Sequence, residues 1–325
     1  MKQLTFIIIF IAFFSCKDNS SQQEPGNQQG ETIAMKYAQG FSIKSYETYK
    51  ILEVATPWPG AKEPFKYLLH SANSTIPDSI DFDEKLEIPV KNIVATSTTH
   101  IPALEALGLE DKLSGFPGTR YISSEKTRTL IESGQVQELG QNENINTEIL
   151  IDLSPDVVVG FAIDASNKSL ETIKNIGIPV IYNGDWTEKT PLGKAEWIKF
   201  FGVLFDKNKE AEKIFDDIET SYLEAKELAS LSKDKPVLIA GSMYNDKWYI
   251  PYGNSWQAQF IDDANGNYLY SDTKGEGSLA LSFESVLEKA GDADIWISSG
   301  QFESYAQLTE NSVHYDKFKA VQDKE

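Results

Sequence analysis

The chain has 325 residues, enough for one large domain or two medium ones, and its 41% hydrophobic and 24% charged content is ordinary for a globular protein. Its formal net charge of −19, from 30 Lys and Arg against 49 Asp and Glu, argues against nucleic acid as the main partner and against adsorption to anionic lipid by charge alone. One cysteine excludes an internal disulfide and an all-cysteine metal site, and three histidines (His70, His100, His314) argue against a multi-histidine centre, so no cofactor and no metal site are expected.

The N-terminus starts with Lys2, runs apolar over residues 4–14, and reaches Ser15, Cys16 and a polar stretch. About eleven apolar residues are too few to span a bilayer and read as a secretory signal. A small residue before the only cysteine resembles a bacterial lipoprotein signal, although Phe13 and Phe14 stand where Leu and a small residue are more usual. That resemblance implies lipidation of Cys16 and a membrane-anchored envelope protein; a plain signal peptide cut nearby is the other reading. Removal of residues 1–15 takes Lys2 and moves the charge from −19 to −20. Residues 16–31, rich in Gln, Ser and Gly, read as a flexible tether.

Residues 41–52 and 65–70 look like paired strands within a strand-rich extension over 32–90. The rigid turn Thr56-Pro57-Trp58-Pro59-Gly60 between them presents an indole, either as a half-buried hairpin loop or as the aromatic wall of a ligand site. From residue 91 to 190 the chain alternates strand and helix: a strand ending in Ala95, a helix past Pro102 to Gly108, and strands at 113–116, 136–140, 157–160 and 178–182. Such units imply a mainly parallel sheet. Ligands sit beyond the carboxyl ends of such strands, which makes Thr98, Thr99 and His100 candidates by position. His100 could equally be a solvated neighbour of a helix cap. Arg120, Tyr121, Phe161 and Trp186 complete the first-lobe cleft candidates.

An apolar helix over 191–205 precedes a longer one. Over 206–231, Ala211, Ile214, Phe215, Ile218, Tyr222, Ala225 and Ala229 recur at steps of three and four, which predicts one amphipathic helix of roughly 39 Å, capped by Asp206 or Asn208 and barred beyond Lys235 by Pro236. It divides the chain into two halves of like grammar, with linking helices over 191–233 and a second lobe over 234–325. The predicted fold is α/β: two Rossmann-like lobes with mainly parallel sheets, joined by one long helix, with a cleft between them. In the second lobe, Tyr244, Trp248, Tyr252 and Trp256 are expected around the cleft, at least one of them as ordinary core. Residues 262–267 resemble a calcium loop only superficially, because Gly266 stands fifth and Thr273 twelfth. Gly275-Glu276-Gly277 follows no strand and is no dinucleotide loop.

Three blocks carry a more specific likeness: STTHIPALEALGLEDKLSGF, NTEILIDLSPDVVVGF and IGIPVIY. With the long helix and the lipoprotein signal they resemble the helix-linked (class III) periplasmic solute-binding proteins of ABC importers for ferric siderophores, haem and cobalamin, from about Lys91 onward. The resemblance implies a monomeric receptor, not an enzyme. It would grip a metal chelate between its lobes and dock on an ABC permease through one acidic residue per lobe. These are Glu148, in the block before the Pro155-Asp156 strand, and Glu284, at the equivalent point of the second half. A solvated glutamate favourable to the helix dipole is the plain alternative for Glu148. Ala264-Asn265-Gly266-Asn267 fits the family's turn at that point. Family members usually run further than Glu325, so a short second lobe is expected.

Two other classes remain. An enzyme lacks support, since there is no Gly-x-Ser-x-Gly elbow and no His-Glu-x-x-His pair. A surface lipoprotein holding polysaccharide on its aromatics is the second. Within the receptor reading a haem receptor stays open, with no axial ligand singled out.

Overall fold

The computed structural model describes residues 30–297, 302, 304–312 and 314–324. The signal, Cys16 and the tether up to residue 29 lie outside the described residues. Among the described residues no helix is long and apolar enough to cross a membrane.

The first lobe opens with β1 (Glu31–Ile33), β2 (Phe41–Ser45), β3 (Tyr49–Val54) and β4 (Phe65–His70), an antiparallel meander to which β5 (Glu84–Glu87) adds in parallel. The expected strand over 41–52 is a hairpin: Tyr46 N–H closes on the Tyr49 carbonyl at 2.9 Å. On β2, Phe41 and Ile43 are buried while Ser42 and Lys44 are exposed, the period-two signature of a half-covered sheet.

A second sheet takes β6 (Ile93–Ala95), β7 (Leu113–Phe116) and β8 (Gln137–Glu138). After a short hairpin of β9 (Gly140–Gln141) and β10 (Asn144–Ile145) it is completed by β11 (Val157–Gly160) and β12 (Val180–Tyr182). The spatial order is β12-β11-β6-β7-β8, all parallel. Val157, Val158 and Val159 are all fully buried: α1 (His100–Ala106), the helical stretch over 198–204 and the first sheet share a core with Val157 and Val159, while α3 (Thr147–Leu153) and α4 (Lys168–Asn175) cover Val158; α2 (Glu125–Glu132) lies between β7 and β8 in the chain.

The apolar stretch after β12 makes two helices rather than one, α5 (Pro191–Glu196) and α6 (Ile198–Leu204), which meet at Trp197. The linking helix α7 (Asn208–Ser230) has 23 residues, roughly 34 Å. It starts later than expected because Asp206 takes a left-handed φ of 55°; Lys207 occupies the N-cap without a side-chain bond, and neither Asp206 nor Asn208 caps. Ala211 and Phe215 are fully buried against α6. A Cβ on Gly202 of α6 would lie 2.6 Å from that of Ala211, so glycine sets how closely the two helices cross. Beyond that grip Ile218 and Ala225 of the predicted stripe are exposed while Tyr222 and Ala229 are half-buried, and Leu223, Leu228 and Leu231, outside the stripe, are exposed as well.

The second lobe runs β13 (Val237–Ala240), β14 (Ser242–Tyr244), β15 (Lys247–Pro251), α8 (Trp256–Asp263), β16 (Asn267–Tyr268), β17 (Ser278–Leu281), α9 (Phe283–Ala290) and β18 (Ile295–Ile297), followed by α10 (Tyr305–Asn311) and α11 (Lys319–Asp323). Its parallel sheet is β16-β13-β18, and β14-β15-β17 form an antiparallel one. Both lobes thus pair a parallel sheet with a largely antiparallel one. They also share a backbone clamp. Asp156 N–H bonds the Asn92 carbonyl, and its carboxylate accepts from Lys91 and Asn92 N–H ahead of β6. In the other half, Asp294 N–H bonds the Val237 carbonyl and its carboxylate accepts from Val237 N–H at the start of β13.

Candidate functional site

The carboxyl ends of β6, β11 and β12 open on one side of the first lobe, and the segments after them form one wall of a cleft. Thr96, just past β6, ties two of these ends together: its N–H bonds the Val159 carbonyl and its hydroxyl accepts from Phe161 N–H at 2.7 Å. The facing wall comes from the second lobe: Tyr244 of β14, the start of α8, and the loop at 275–278. The cleft has two chambers, of about 530 and 840 Å³. Phe161 lines the larger and Trp186 the smaller, and their ring centroids lie 5.6 Å apart, so two touching rings divide the space.

The smaller chamber holds Trp58, Thr99, Trp186 and Trp256 together with Lys194. The Lys194 ammonium lies 5.2 Å from the Trp256 ring centre and 3.7 Å from the Asp185 carboxylate, so a side chain of α5 touches both lobes. Asp185 is nearly fully buried and accepts from the Thr99 hydroxyl at 3.2 Å.

The larger chamber holds Thr98, Arg120, Tyr121, Phe161 and Tyr244. Arg120 Nη2 donates to the Tyr121 hydroxyl at 2.7 Å, and its guanidinium lies over the same ring at 4.7 Å. The loop carrying both is held by Glu138, which accepts from Gly118 and Thr119 N–H, the Thr119 hydroxyl and Gly140 N–H. Burial pushes the Glu138 carboxyl up, but these donors outweigh it and hold it below the usual carboxylate range.

Two expected cleft residues lie elsewhere. His100 is the first residue of α1 and is 0% exposed, its ring 5.7 Å from that of Phe201. Neither ring nitrogen has a partner, and burial lowers its pKa to about 4, with Asp185 pulling upward and Lys194 pushing further down. It is neither a ligand-facing group nor a solvated cap neighbour, because the turn of α1 that carries His100, Ile101 and Leu104 faces the core. Trp248 is also fully buried, donates its indole N–H to the Ala240 carbonyl, and packs among Trp296, Tyr315 and Phe318. Of the four second-lobe aromatics, Tyr244 and Trp256 line the cleft, Trp248 is core, and Tyr252 packs over Gly275.

Glu148 and Glu284 both stand second in their helices, α3 and α9, behind N-caps Asn146 and Ser282 that accept from backbone N–H groups. Both are exposed, and neither forms an ion pair among the described residues. Lys194, Thr187, Glu188 and Lys189 line the smaller chamber without having been singled out in the sequence. They follow the carboxyl end of β12, so the strand-end rule that chose Thr98 and Thr99 covers them too. Among the described residues no group of three or more His, Cys, Asp or Glu could hold a metal ion.

Comparison with known proteins agrees with this architecture. The sequence profile described as periplasmic binding protein matches residues 93–324. An uncharacterized lipoprotein of Methanocaldococcus jannaschii is 25% identical over 321 residues, covering 91% of this chain and 76% of that one. The periplasmic haem-binding protein HutB of Vibrio cholerae superposes with a TM-score of 0.56 at 16% identity, covering 72% of this chain and 88% of that one. A protein of Saccharomonospora viridis described as an ABC-type Fe3+-hydroxamate transport system superposes with a TM-score of 0.55 at 19% identity, covering 73% and 84%. With its profile match, two α/β lobes and single linking helix, the chain belongs to the periplasmic binding protein family, whose members bind solutes and are not enzymes.

Proposed function

We propose that the protein captures a metal chelate, a ferric siderophore or cobalamin, and delivers it to the permease of an ABC importer, anchored at the envelope by lipid on Cys16. The observation that carries this is the cleft itself: two chambers of about 530 and 840 Å³, lined by indole, phenyl and phenol rings from both lobes. Rings on both sides of a large space suit a bulky, partly planar ligand. The descriptions of the Vibrio cholerae and Saccharomonospora viridis proteins support a chelate. Glu148 and Glu284, exposed at matched helix positions, are proposed as the permease contacts.

Haem is the second reading. Burial of His100 removes the imidazole nearest the cleft as an axial ligand, but Tyr121 and Tyr244, 50% and 68% exposed, face the larger chamber and could supply a phenolate.

Calorimetric titration of the lipid-free chain with a ferric trihydroxamate, a ferric tricatecholate, cobalamin and haem tests the proposal. Saturable one-to-one binding of one of them is expected. Haem binding with an absorbance band that Tyr244→Phe alters would favour the second reading. Silence with all four, together with retention on polysaccharide gels, would replace both by the polysaccharide-holding lipoprotein.

A further inference from the structure

One wall of the smaller chamber comes from ahead of the stretch that the family profile matches. Residues 58–61 line it, whereas the family profile begins at residue 93. This turn is pinned to the first lobe. Thr187 Oγ1 donates to the Thr56 carbonyl at 3.0 Å, and a Cβ on Gly184 would sit 2.3 Å from that same oxygen, so the two backbones touch. Trp58 is 9% exposed, edge-on to Tyr182 at 5.1 Å and to Phe65 at 5.6 Å. The approach to the meander is pinned as well. The five consecutive N–H groups of residues 36–40 all donate to two buried carboxylates, Glu196 and Glu188. Opening the turn itself as a lid would break the Thr187–Thr56 bond and part Trp58 from Phe65 and Tyr182.

We infer that the turn at 58–61 is a fixed, ligand-selecting wall, and that the strand-rich extension decides which chelate fits by admitting a flat, acceptor-bearing group to the smaller chamber. The inference rests on the chelate reading above. Its shape argument is that Pro59, Gly60 and Ala61 offer no polar side chain and no reach, so the wall is low and apolar. Its chemical argument is that the Trp186 indole lines the same chamber while its nitrogen is buried without an acceptor, so a small turn of the ring would offer that N–H to a ligand oxygen. Lys194 adds positive charge on the same side, while Glu188 is occupied by the N–H groups of Gln39 and Gly40 and by the Trp197 indole.

The test uses the full mature chain, its Pro59→Trp and Pro59→Ala variants, and Trp186→Phe, each titrated with cobalamin and with a compact ferric trihydroxamate. Pro59→Trp fills the chamber at a half-buried turn position and should change the ratio of the two affinities roughly tenfold or more, with the melting temperature held. Trp186→Phe keeps the ring, drops the N–H, and should weaken the preferred chelate roughly tenfold. An unchanged ratio in Pro59→Trp, or equal weakening of both ligands, overturns the wall. If Pro59→Trp does not fold, unchanged affinities in both Pro59→Ala and Trp186→Phe overturn it instead. Wild-type protein that binds neither ligand defeats the chelate reading and this inference with it, whereas wild-type binding with an unmoved ratio defeats the wall alone.

Discussion

Glu196 shows how much one buried carboxylate can organise. It is 0% exposed, accepts from Lys36, Tyr37 and Ala38 N–H, and pairs with Lys199 at 2.7 Å. Burial pushes its carboxyl up, yet these donors outweigh that and hold it below the ordinary value of 4.5. A depressed carboxylate stabilises the fold above its unfolded value, and the contribution is lost as pH falls through the folded one. Glu196→Ala should cost about 3 kcal/mol or more at neutral pH, read by urea denaturation, because it strands an ammonium and three N–H groups. Glu196→Gln should cost less and flatten the stability loss below pH 4.5.

His100 makes an acid-side contribution of its own. Its folded pKa of about 4 against 6.5 means stability is full above pH 6.5 and declines as pH falls toward 4, by about 3 kcal/mol in total. His100→Leu should therefore gain stability at pH 5 relative to pH 8, and a pH-independent difference between the two proteins would contradict this. The sequence could not show this burial, because a polar run into a helix start leaves open which face the first residue takes. Trp248 was more legible. Lys247, Trp248, Tyr249 and Ile250 alternate outside and inside, so strand periodicity alone turns Trp248 inward.

At the scale of elements, α7 is held twice. Phe215 and Ala211 seat it on α6, and Asp263 of α8 accepts from Tyr222 at 2.6 Å, from Lys226 at 2.7 Å and from Gln259 at 2.9 Å. Asp263→Ala should speed hydrogen exchange along α8 while leaving α6 protected, since it releases only the second-lobe grip. Gly202→Val should destabilise the chain by about 1–3 kcal/mol through overpacking at the α6–α7 crossing, measured by thermal melting. The helix was legible because its 3.6-residue pattern is long. Its start was not, because only the left-handed turn at Asp206 decides it, and the exposure of Ile218, Leu223 and Leu228 was not, because periodicity reports an apolar face and not whether anything covers it.

For the whole molecule, the order of strands and helices could be read along the chain because each parallel unit repeats one pattern of buried run, turn and amphipathic helix. The split of each lobe into a parallel and a largely antiparallel sheet could not, since pairing partners such as β15 and β17 are separated by α8, by β16 of the other sheet and by a loop. The proposed docking pair belongs at this scale. Glu148→Arg with Glu284→Arg should cut uptake in cells by tenfold or more and leave chelate affinity in solution unchanged; normal uptake by the double variant would remove both residues from the interface. Each single change also loses a favourable helix-start charge, about 0.3–1 kcal/mol, too little to unfold the chain.

The two grips on α7 bear on how such a receptor signals that it is full. Phe215 and Tyr222 are seven residues apart, roughly 10 Å along the axis. A stiff spar clasped at such close quarters leaves little swing, so the loaded form is expected to be a near-twin of the empty one in outline. A membrane partner would then have to gauge a small change in the span between two distant tips, much as calipers are read at their points.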